Sequence, residues 1–247
     1  MRAMILAAGL GTRLKPYTDS TPKALIEIKG FPLLKLQIRK LSSEGFDQII
    51  INVHHLSDQV KEFIKQNIFF NCSFTISDES KKLLNTGGAL KKAAHFFSDR
   101  KPFLVYNVDI LSDINLKSLM NHHLSSRSIA TLAVQERVSS RKFLFNYENN
   151  LCGWMNDEKG KKIIVRDEET RLIPYSFSGI QIIDPVIFRY FPDEDVFSLV
   201  DLYLAAAKEQ KINGFVHDED NWIDIGKAET LAEAENLFEK IRNTYRV

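Results

Sequence analysis

Cysteine is scarce in this chain. Its 247 residues include only two, Cys72 and Cys152. Two cysteines are too few for the disulfide frameworks of small secreted domains, and both stand in apolar, strand-like segments. We therefore predict buried, unreactive thiols and a reducing, cytoplasmic compartment.

A marked excess of charge of either sign is also missing. Lys and Arg together number 33 and Asp and Glu together number 32, so the formal net charge is +1. This balance argues against nucleic acid as a partner, because proteins that bind nucleic acid usually present an excess of basic residues. It leaves room for a local basic pocket that binds phosphate groups.

Long hydrophobic runs are absent as well. A membrane-spanning helix needs about 20 consecutive apolar residues, and no stretch of the sequence approaches that length. The apolar run at 1–9 is too short for a secretory signal, and it ends in glycine rather than in a cleavage site. We therefore expect neither a signal peptide nor a membrane partner.

Short apolar runs alternate with helical spacings through the first half of the chain, whereas strand-like segments separated by polar turns dominate the second half. The alternation predicts βαβ units, in which ligands bind beyond the carboxyl ends of parallel strands. We predict a single α/β domain built on a mixed, mainly parallel Rossmann-like sheet that is flanked by helices. Its predicted parts are a first lobe at about 1–125, an added β-rich lobe at about 126–226 and a C-terminal helix at 227–247.

The predicted strands of the first half are 3–8, 48–53, 73–77 and 102–106, and its predicted helices include 32–45 and 88–97. In the second half the predicted strands are 128–134, 143–147, 151–155 and 177–183, and the predicted helices are 185–191, 198–210 and 227–242.

A glycine-rich segment follows the first predicted strand directly. It reads GLGTRLKP at 9–16 and is followed by TPK at 21–23. Glycines let the backbone approach a phosphate closely, and successive N–H groups form an anion-binding concavity. Arg13 can contact phosphate oxygens through its planar guanidinium, and Lys23 supplies a compact positive charge. The segment is not a P-loop, which requires G-x-x-x-x-G-K-[ST].

The stretch LAAGLGTRL at 6–14, together with Pro22-Lys23, resembles the signature of the sugar nucleotidyltransferase family. The resemblance covers roughly residues 2–240 and is strongest to the short bacterial branch of N-acetylmuramate-1-phosphate uridylyltransferases and mannose-1-phosphate guanylyltransferase-like proteins. It implies the nucleotide-diphospho-sugar transferase fold, with nucleotide bound by the first lobe and sugar by the β-rich lobe. It also implies that Arg13 and Lys23 are catalytic. The nucleotide-binding residues that it implies in the loop are Leu6, Ala7, Ala8, Gly9, Gly11, Thr12 and Arg13.

Two aspartates are candidate metal ligands. Asp109 follows the fourth predicted strand, and a carboxylate there faces the same crevice as the glycine-rich loop; Mg²⁺ is usually bound by one or two carboxylates plus substrate phosphates. The alternative for Asp109 is a loop residue that caps the following turn, which is the role that we predict for Asp113. Asp224 lies in NWIDIG at 221–226, which resembles the family's late W-x-D-x-G motif, whose aspartate is the second metal ligand. The resemblance thus implies Mg²⁺ as the cofactor. Val108 stands where the family usually has glycine.

The resemblance implies further contacts to the base and the sugar. LNTGG at 84–88 resembles the turn that binds the base, although a helix N-terminus with glycine at its cap is an alternative. FSGI at 177–180 resembles a segment of the sugar half, although a strand glycine also marks β-bulges. The implied nucleotide-binding residues of the turn are Asn85, Thr86, Gly87 and Gly88. The implied substrate-binding residues are Asn52, Asn107, Ser178 and Gly179.

The implied reaction joins a nucleoside triphosphate, UTP or GTP, to a sugar-1-phosphate and releases pyrophosphate. Two alternatives stay open. A cytidylyltransferase that acts on a non-sugar phosphate such as phosphocholine would share the loop and both aspartates. The second alternative is a non-catalytic sensor of nucleotide sugars. The loss of a charged site residue would favour it, but Arg13, Lys23 and both aspartates are present. We expect a monomer or a small homo-oligomer.

Overall fold

The computed structural model describes residues 1–67, 72–166 and 171–246. Apolar runs form its buried strands: in QIIINV at 48–53, every residue after the first is buried. The strands, numbered in chain order, are β1 (Arg2–Leu6), β2 (Glu27–Ile28), β3 (Phe31–Pro32), β4 (Gln48–Val53), β5 (Ser73–Asp78), β6 (Phe103–Asn107), β7 (Ile110–Ser112), β8 (Ala130–Gln135), β9 (Arg141–Phe145), β10 (Leu151–Asn156), β11 (Lys161–Ile164), β12 (Ile173–Ile183), β13 (Ile212–Val216) and β14 (Trp222–Asp224).

The α-helices of the described residues each bury part of their surface, and the extent differs from helix to helix. They are α1 (Leu33–Ser43), α2 (Ser57–Gln66), α3 (Asn85–Ala93), α4 (Leu116–Ser126), α5 (Leu199–Ala206) and α6 (Leu231–Ile241). Within the described ranges, no helix is both long and apolar enough to span a membrane.

Four predicted helices differ from the observed ones at their ends. The helix predicted at 88–97 is α3, which starts earlier at Asn85, ends at Ala93 and is followed by a 3₁₀ helix, Ala94–Phe97. The segment predicted at 185–191 is a 3₁₀ helix, Pro185–Tyr190. The helix predicted at 198–210 is the shorter α5, which begins with a capping box because Ser198 and Asp201 each accept a hydrogen bond from the other's backbone N–H. The C-terminal helix starts as a 3₁₀ turn, Ala228–Thr230, before α6. Its predicted last residue, Val247, lies outside the described residues.

The chain forms two compact units that are interleaved in sequence. The first comprises Met1–Leu84, Val105–Ile114 and Asp220–Val247, and the second comprises Asn85–Leu104 and Asn115–Glu219. The two lobes predicted from the sequence are each continuous, so their limits differ from those of the observed units. The assignment of nucleotide and sugar to separate lobes stays a prediction.

The first unit is built on parallel strands. β1 pairs in parallel with β4, which pairs in parallel with β5, and β6 is the other neighbour of β1. Leu6 lies opposite Asn52 at the carboxyl ends of β1 and β4. Two short strands, β7 and β14, form a separate antiparallel pair. The prediction of a mainly parallel central sheet flanked by helices is confirmed.

The second unit has the β-rich character that the sequence predicts. β12 pairs antiparallel with both β8 and β9, and β9–β10–β11 continue as an antiparallel meander. β13 joins β8 in parallel. The β12–β8 pairing shifts register between Phe177 and Gln181, and Gly179 within this shift has a φ of +75°. This is the β-bulge that the sequence left open as the alternative reading of Gly179.

Candidate active site

The glycine-rich loop leaves the carboxyl end of β1 and turns sharply at Gly11. Gly11 has a φ of +64°, a conformation that glycine adopts without steric cost. Its carbonyl accepts hydrogen bonds from the Leu14 N–H (2.8 Å) and from the hydroxyl of Thr18 (2.8 Å), a residue that is only 2% exposed. Thr12 and Arg13 lie in the 3₁₀ turn that follows and are exposed. These hydrogen bonds hold the backbone of the loop, while the side chains of Thr12 and Arg13 are exposed.

Lys23 and Asp109 form an ion pair. The Nζ atom of Lys23 donates to Oδ2 of Asp109, and the side chains are 10% and 19% exposed, respectively. Lys23 begins the 3₁₀ turn Lys23–Leu25 directly after Pro22, and Asp109 lies in the turn that connects β6 to β7. Two residues 86 positions apart in the sequence thus meet where the loop after β1 meets the turn after β6.

The β7–β14 pair brings Asp224 to the same place. Asp224 lies opposite Ile110, and the Ile225 N–H donates to the carbonyl of Asp109 (2.9 Å). The two predicted metal ligands are therefore neighbours across an antiparallel ladder. The sequence separates them by more than a hundred positions, so only strand pairing places them together.

Arg13 and Asp224 both pack against Gly226. A Cβ atom built on Gly226 would lie 2.9 Å from Nη2 of Arg13 and 3.0 Å from Oδ1 of Asp224. The bare backbone of Gly226 therefore leaves the space that these two side chains use. Together with the Lys23–Asp109 pair, this contact gathers all four predicted charged residues within the first unit.

Helix α1 and the C-terminal residues support the segment that carries Asp109. Nε2 of Gln37 donates to the carbonyl of Ile110 (2.6 Å), and Nζ of Lys40 donates to the carbonyl of Ile114 (2.8 Å). The Tyr245 hydroxyl accepts from the Ser112 N–H (2.8 Å) and donates to the Ser112 carbonyl (3.1 Å). These fully buried partners hold the backbone of β7 at several points, so the position of Asp109 is well determined.

Burial shifts the titration of two of these supporting groups. Desolvation lowers the pKa of Lys40, and the adjacent Glu44 carboxylate, 2.9 Å away, opposes this shift. Desolvation also raises the pKa of the Tyr245 hydroxyl. Tyr245 therefore stays neutral and keeps its proton for the hydrogen bond to Ser112.

Asp113 does not cap a helix as the sequence predicts. Asn115 is the N-cap of α4, and its side chain accepts from the Ser118 N–H. The carboxylate of Asp113 instead accepts from the backbone N–H (2.8 Å) and the side-chain amide (2.7 Å) of Asn221. Asp113 thus ties the residue before β14 to the end of β7, because Asn221 immediately precedes Trp222.

The donor set of this site suits a hard cation. Asp109 and Asp224 offer carboxylate oxygens, which Mg²⁺ prefers, and Mg²⁺ keeps several waters or substrate oxygens when two carboxylates hold it. In residues 1–67, 72–166 and 171–246, no group of three or more His, Cys, Asp or Glu side chains is placed to hold a metal ion. A two-carboxylate site that is completed by phosphate oxygens is the arrangement that these residues fit.

Two more residues that the resemblance implies as substrate-binding lie in this unit. Asn107 is the last residue of β6 and is partly exposed. Asn52 is only 3% exposed, and its Oδ1 accepts a hydrogen bond from the Ala7 N–H (2.7 Å). Asn52 thus contacts the loop itself, and a contact of either asparagine with substrate stays a prediction.

The turn that contains Thr86 belongs to the second unit, at the start of α3. The N–H groups of Gly87 (2.9 Å) and Gly88 (3.2 Å) donate to the carbonyl of Phe197, and the hydroxyl of Thr86 accepts from the Leu199 N–H (3.0 Å). These groups hold the segment before α5. Asn85 has a φ of +62° and accepts from the Thr86 N–H (2.7 Å). Base recognition by this turn stays a prediction.

Ser178 is fully buried in β12 and lies 2.8 Å from Nε2 of His217, which is also buried. The Gln135 side chain donates to the carbonyl of His217 (3.1 Å). Ser178 and His217 thus form an internal polar contact beside the bulge at Gly179. Sugar binding by Ser178 and Gly179 stays a prediction.

Sequence reasoning missed several residues that shape the site. Gln37 and Tyr245 act through hydrogen bonds to residues distant in the sequence, and Thr18 acts through one to Gly11, seven residues away. No local motif distinguishes these three from ordinary surface or core residues. Asp113 was predicted as a cap, and its true partner Asn221 is distant in the sequence. Gly226 had a signal, because it closes the W-x-D-x-G pattern, but its role as packing space appears only in three dimensions.

Residues 2–143 match the model of the nucleotidyl transferase family. The chain is 30% identical over 246 residues to UTP–glucose-1-phosphate uridylyltransferase of Synechocystis, covering 92% of this chain and 60% of that protein. It is 29% identical over 238 residues to N-acetylmuramate alpha-1-phosphate uridylyltransferase of Neisseria meningitidis, covering 96% of this chain and 98% of that protein.

Solved structures share the fold. HddC from Yersinia pseudotuberculosis, crystallised in complex with GMP-PN, superposes with a TM-score of 0.77 at 23% identity, covering 96% of this chain and 99% of that one. The family match spans more than half of the chain and includes the glycine-rich loop, Lys23 and Asp109. The resemblance seen in the sequence is confirmed, and the chain belongs to the nucleotidyl transferase family.

Proposed function

We propose that this protein transfers a nucleotidyl group from UTP or GTP to a sugar-1-phosphate, with Mg²⁺ as cofactor and pyrophosphate as the second product. One observation carries the proposal: Lys23, Asp109, Asp224 and Arg13 are gathered at the loop after β1 and the turn after β6. Ligands of open α/β sheets bind beyond the carboxyl ends of the strands, and a triphosphate with a hard cation requires this mixture of charges.

The attacking oxygen belongs to a sugar phosphate that is already anionic near neutral pH, so the reaction requires no strong general base. Catalysis then rests on positioning and charge neutralisation. Arg13 binds the phosphates that leave as pyrophosphate, and Lys23 binds the α-phosphoryl group or the entering phosphate. Asp109 and Asp224 would hold Mg²⁺, which would offset the charge that develops on the phosphate oxygens.

The names of the relatives support UTP as the first donor to test, since both the Synechocystis and the Neisseria proteins are uridylyltransferases. GTP is the second, because the resemblance extends to mannose-1-phosphate guanylyltransferase-like proteins. The Neisseria protein matches over 98% of its length and makes N-acetylmuramate-1-phosphate the first acceptor to test. Glucose-1-phosphate is the second, from the name of the Synechocystis protein.

A pyrophosphate-release screen tests the proposal. UTP, GTP, CTP and dTTP are each combined with N-acetylmuramate-, glucose- and mannose-1-phosphate and with phosphocholine, with Mg²⁺ or with EDTA. We expect Mg²⁺-dependent release with UTP or GTP and a sugar-1-phosphate. Release only from CTP with phosphocholine would favour the cytidylyltransferase alternative. Release from no pair, with nucleotide sugar bound nonetheless, would favour the sensor and contradict the proposal.

A further inference from the structure

Glu79 is a buried carboxylate that the mechanism above does not use. It follows β5 directly and is only 1% exposed. Its backbone N–H donates to the carbonyl of Val53 (2.7 Å), which anchors it beside the end of β4. Its two carboxylate oxygens have separate partners: Oε1 accepts from Nδ2 of Asn52 (2.8 Å), and Oε2 accepts from the Leu84 N–H (3.2 Å). A carboxylic side chain is costly to bury even with this set of partners, and its presence here therefore points to a role.

The contact to Asn52 continues to the glycine-rich loop. Oδ1 of Asn52 accepts from the Ala7 N–H (2.7 Å), while the carbonyl of Leu6 accepts from the Val108 N–H (3.1 Å). Both ends of the Leu6–Ala7 peptide unit are therefore fixed. Because this unit lies at the point where β1 ends, its orientation sets the direction in which the backbone of the loop departs.

The two hydrogen bonds that the Glu79 carboxylate accepts determine which way the Asn52 amide points. Both carboxylate oxygens of Glu79 accept hydrogen bonds, whereas an amide has one accepting and one donating end. Asn52 must therefore turn its NH₂ group towards Glu79, which leaves its oxygen for the Ala7 N–H. A neutral amide at position 79 would remove this constraint, because one of its two ends would always bring a donor against a donor.

We propose that Glu79 is a positioning residue for the nucleotide site, acting through Asn52 on the Leu6–Ala7 peptide and directly on Leu84, the residue that precedes Asn85. This inference rests on the proposed function for the identity of the ligand. It assigns to Asn52 a role in shaping the loop, and it predicts that changes at Glu79 affect the nucleoside triphosphate and not the sugar phosphate.

Two single variants and their combination test the polarity of this network. Glu79→Gln keeps the size of the side chain but sets an NH₂ group against either the Leu84 N–H or the Asn52 amide. Asn52→Asp sets a second carboxylate against Glu79. The double variant Asn52→Asp/Glu79→Gln restores every contact. Its new carboxylate at position 52 accepts from the Ala7 N–H and from the new amide at position 79, and the oxygen of that amide accepts from the Leu84 N–H. Asp78→Asn, at a half-exposed neighbouring carboxylate, is the matched control.

The first measurement is steady-state kinetics with the donor–acceptor pair that wild-type protein uses. We expect KM for the triphosphate to rise about 10-fold in Glu79→Gln, because a buried hydrogen bond is lost and a donor then faces a donor. In Asn52→Asp we expect a rise on the order of 100-fold, because two buried carboxyl groups then face each other. KM for the sugar phosphate should stay unchanged in both variants. In the double variant, KM for the triphosphate should return to within about 3-fold of the wild-type value. Two residues that act through one hydrogen-bond network show this non-additivity in a double-mutant cycle.

The second measurement is hydrogen exchange at the Ala7 amide, which needs no substrate. Protection should fall in each single variant and return in the double variant, while thermal unfolding confirms that all variants are folded. The positioning role is overturned if active wild-type protein and Glu79→Gln share the same KM for the triphosphate, or if the double variant is no better than the worse single one. Wild-type protein that is inactive with every pair would instead overturn the proposed function.

Discussion

Gly226 in the first unit and Gly87 in the second are both too close to their neighbours to carry a side chain, but their neighbours differ in kind. A Cβ on Gly226 would meet the ends of two charged side chains, Arg13 and Asp224. A Cβ on Gly87 would lie 2.4 Å from the Phe197 ring and 2.9 Å from the Phe197 carbonyl. Glycine therefore leaves space for charged groups in one unit and for apolar packing in the other.

A glycine pattern in a sequence therefore indicates that other atoms lie close to the backbone there, but it does not identify those atoms. In the first unit, buried polar groups such as Gln37 and Tyr245 hold backbone so that charged side chains gather at the ends of strands. In the second unit, the N–H groups of Gly87 and Gly88 already bind the chain's own carbonyl. Four experiments test this contrast.

The largest effect should follow removal of a charge from the first unit. Asp109→Ala leaves Lys23 without its partner and removes a predicted Mg²⁺ ligand, so we expect turnover to fall at least ~100-fold, as for other losses of a preorganised charged group. Steady-state kinetics with the pair found in the screen would measure this. Asp58→Ala, at an almost fully exposed carboxylate on α2, is the control and should change turnover little. Near-normal turnover of Asp109→Ala would contradict the assigned role.

Adding one methyl group to Gly87 should destabilise the protein. The Phe197 carbonyl belongs to the backbone and cannot easily move, so we expect Gly87→Ala to lower the free energy of unfolding by about 1–3 kcal/mol, as overpacking does in other cores. Urea denaturation would measure the change. An unchanged midpoint of urea denaturation would show that the segment at 197–199 shifts to accommodate the methyl group. The contrast between Gly87 and Gly226 would then be lost.

Acid should destabilise the second unit through His123. Burial is the main cause that lowers the pKa of His123 to about 4, from 6.5, with Asp184 opposing the shift and His122 adding to it. Because the unfolded chain binds the proton first, this group should lower the free energy of unfolding by about 2 kcal/mol between pH 7 and pH 5. The loss should be absent in His123→Gln. The free energy of unfolding of wild-type protein and of His123→Gln would be measured between pH 7 and pH 5. An equal change in the two proteins would disprove the effect.

Adding a methyl group to Gly226 should give the smallest effect, and one on activity rather than on stability. The atoms that the new Cβ meets are the ends of flexible side chains, so they can shift away at little cost to folding. We expect Gly226→Ala to lower kcat/KM about 10-fold, because a small misplacement of catalytic groups is costly. Lys227→Ala, the exposed neighbour, should leave kcat/KM unchanged. If Gly226→Ala instead lowered the melting temperature as much as Gly87→Ala, the two glycines would be equivalent.

Local sequence patterns predicted much of the fold. The strand at 48–53 is observed over the residues predicted, and the other predicted strands of the first half are each found within about two residues. Helix ends were less well predicted, as at 185–190, where the segment is 3₁₀. The ends depend on caps and on tertiary contacts that a short window of sequence does not contain.

Periodicity and motif spacing are properties of neighbouring residues. The α/β alternation, the glycine-rich loop and the four charged residues could therefore be predicted from the sequence alone; the four are Arg13, Lys23, Asp109 and Asp224. Three contacts became visible only in the folded chain: β7 pairs with β14, Asn52 donates a hydrogen bond to Glu79, and Phe197 packs on Gly87. These contacts join residues far apart in the chain, and burial decides them, because a polar group that loses water must find its partner within the fold.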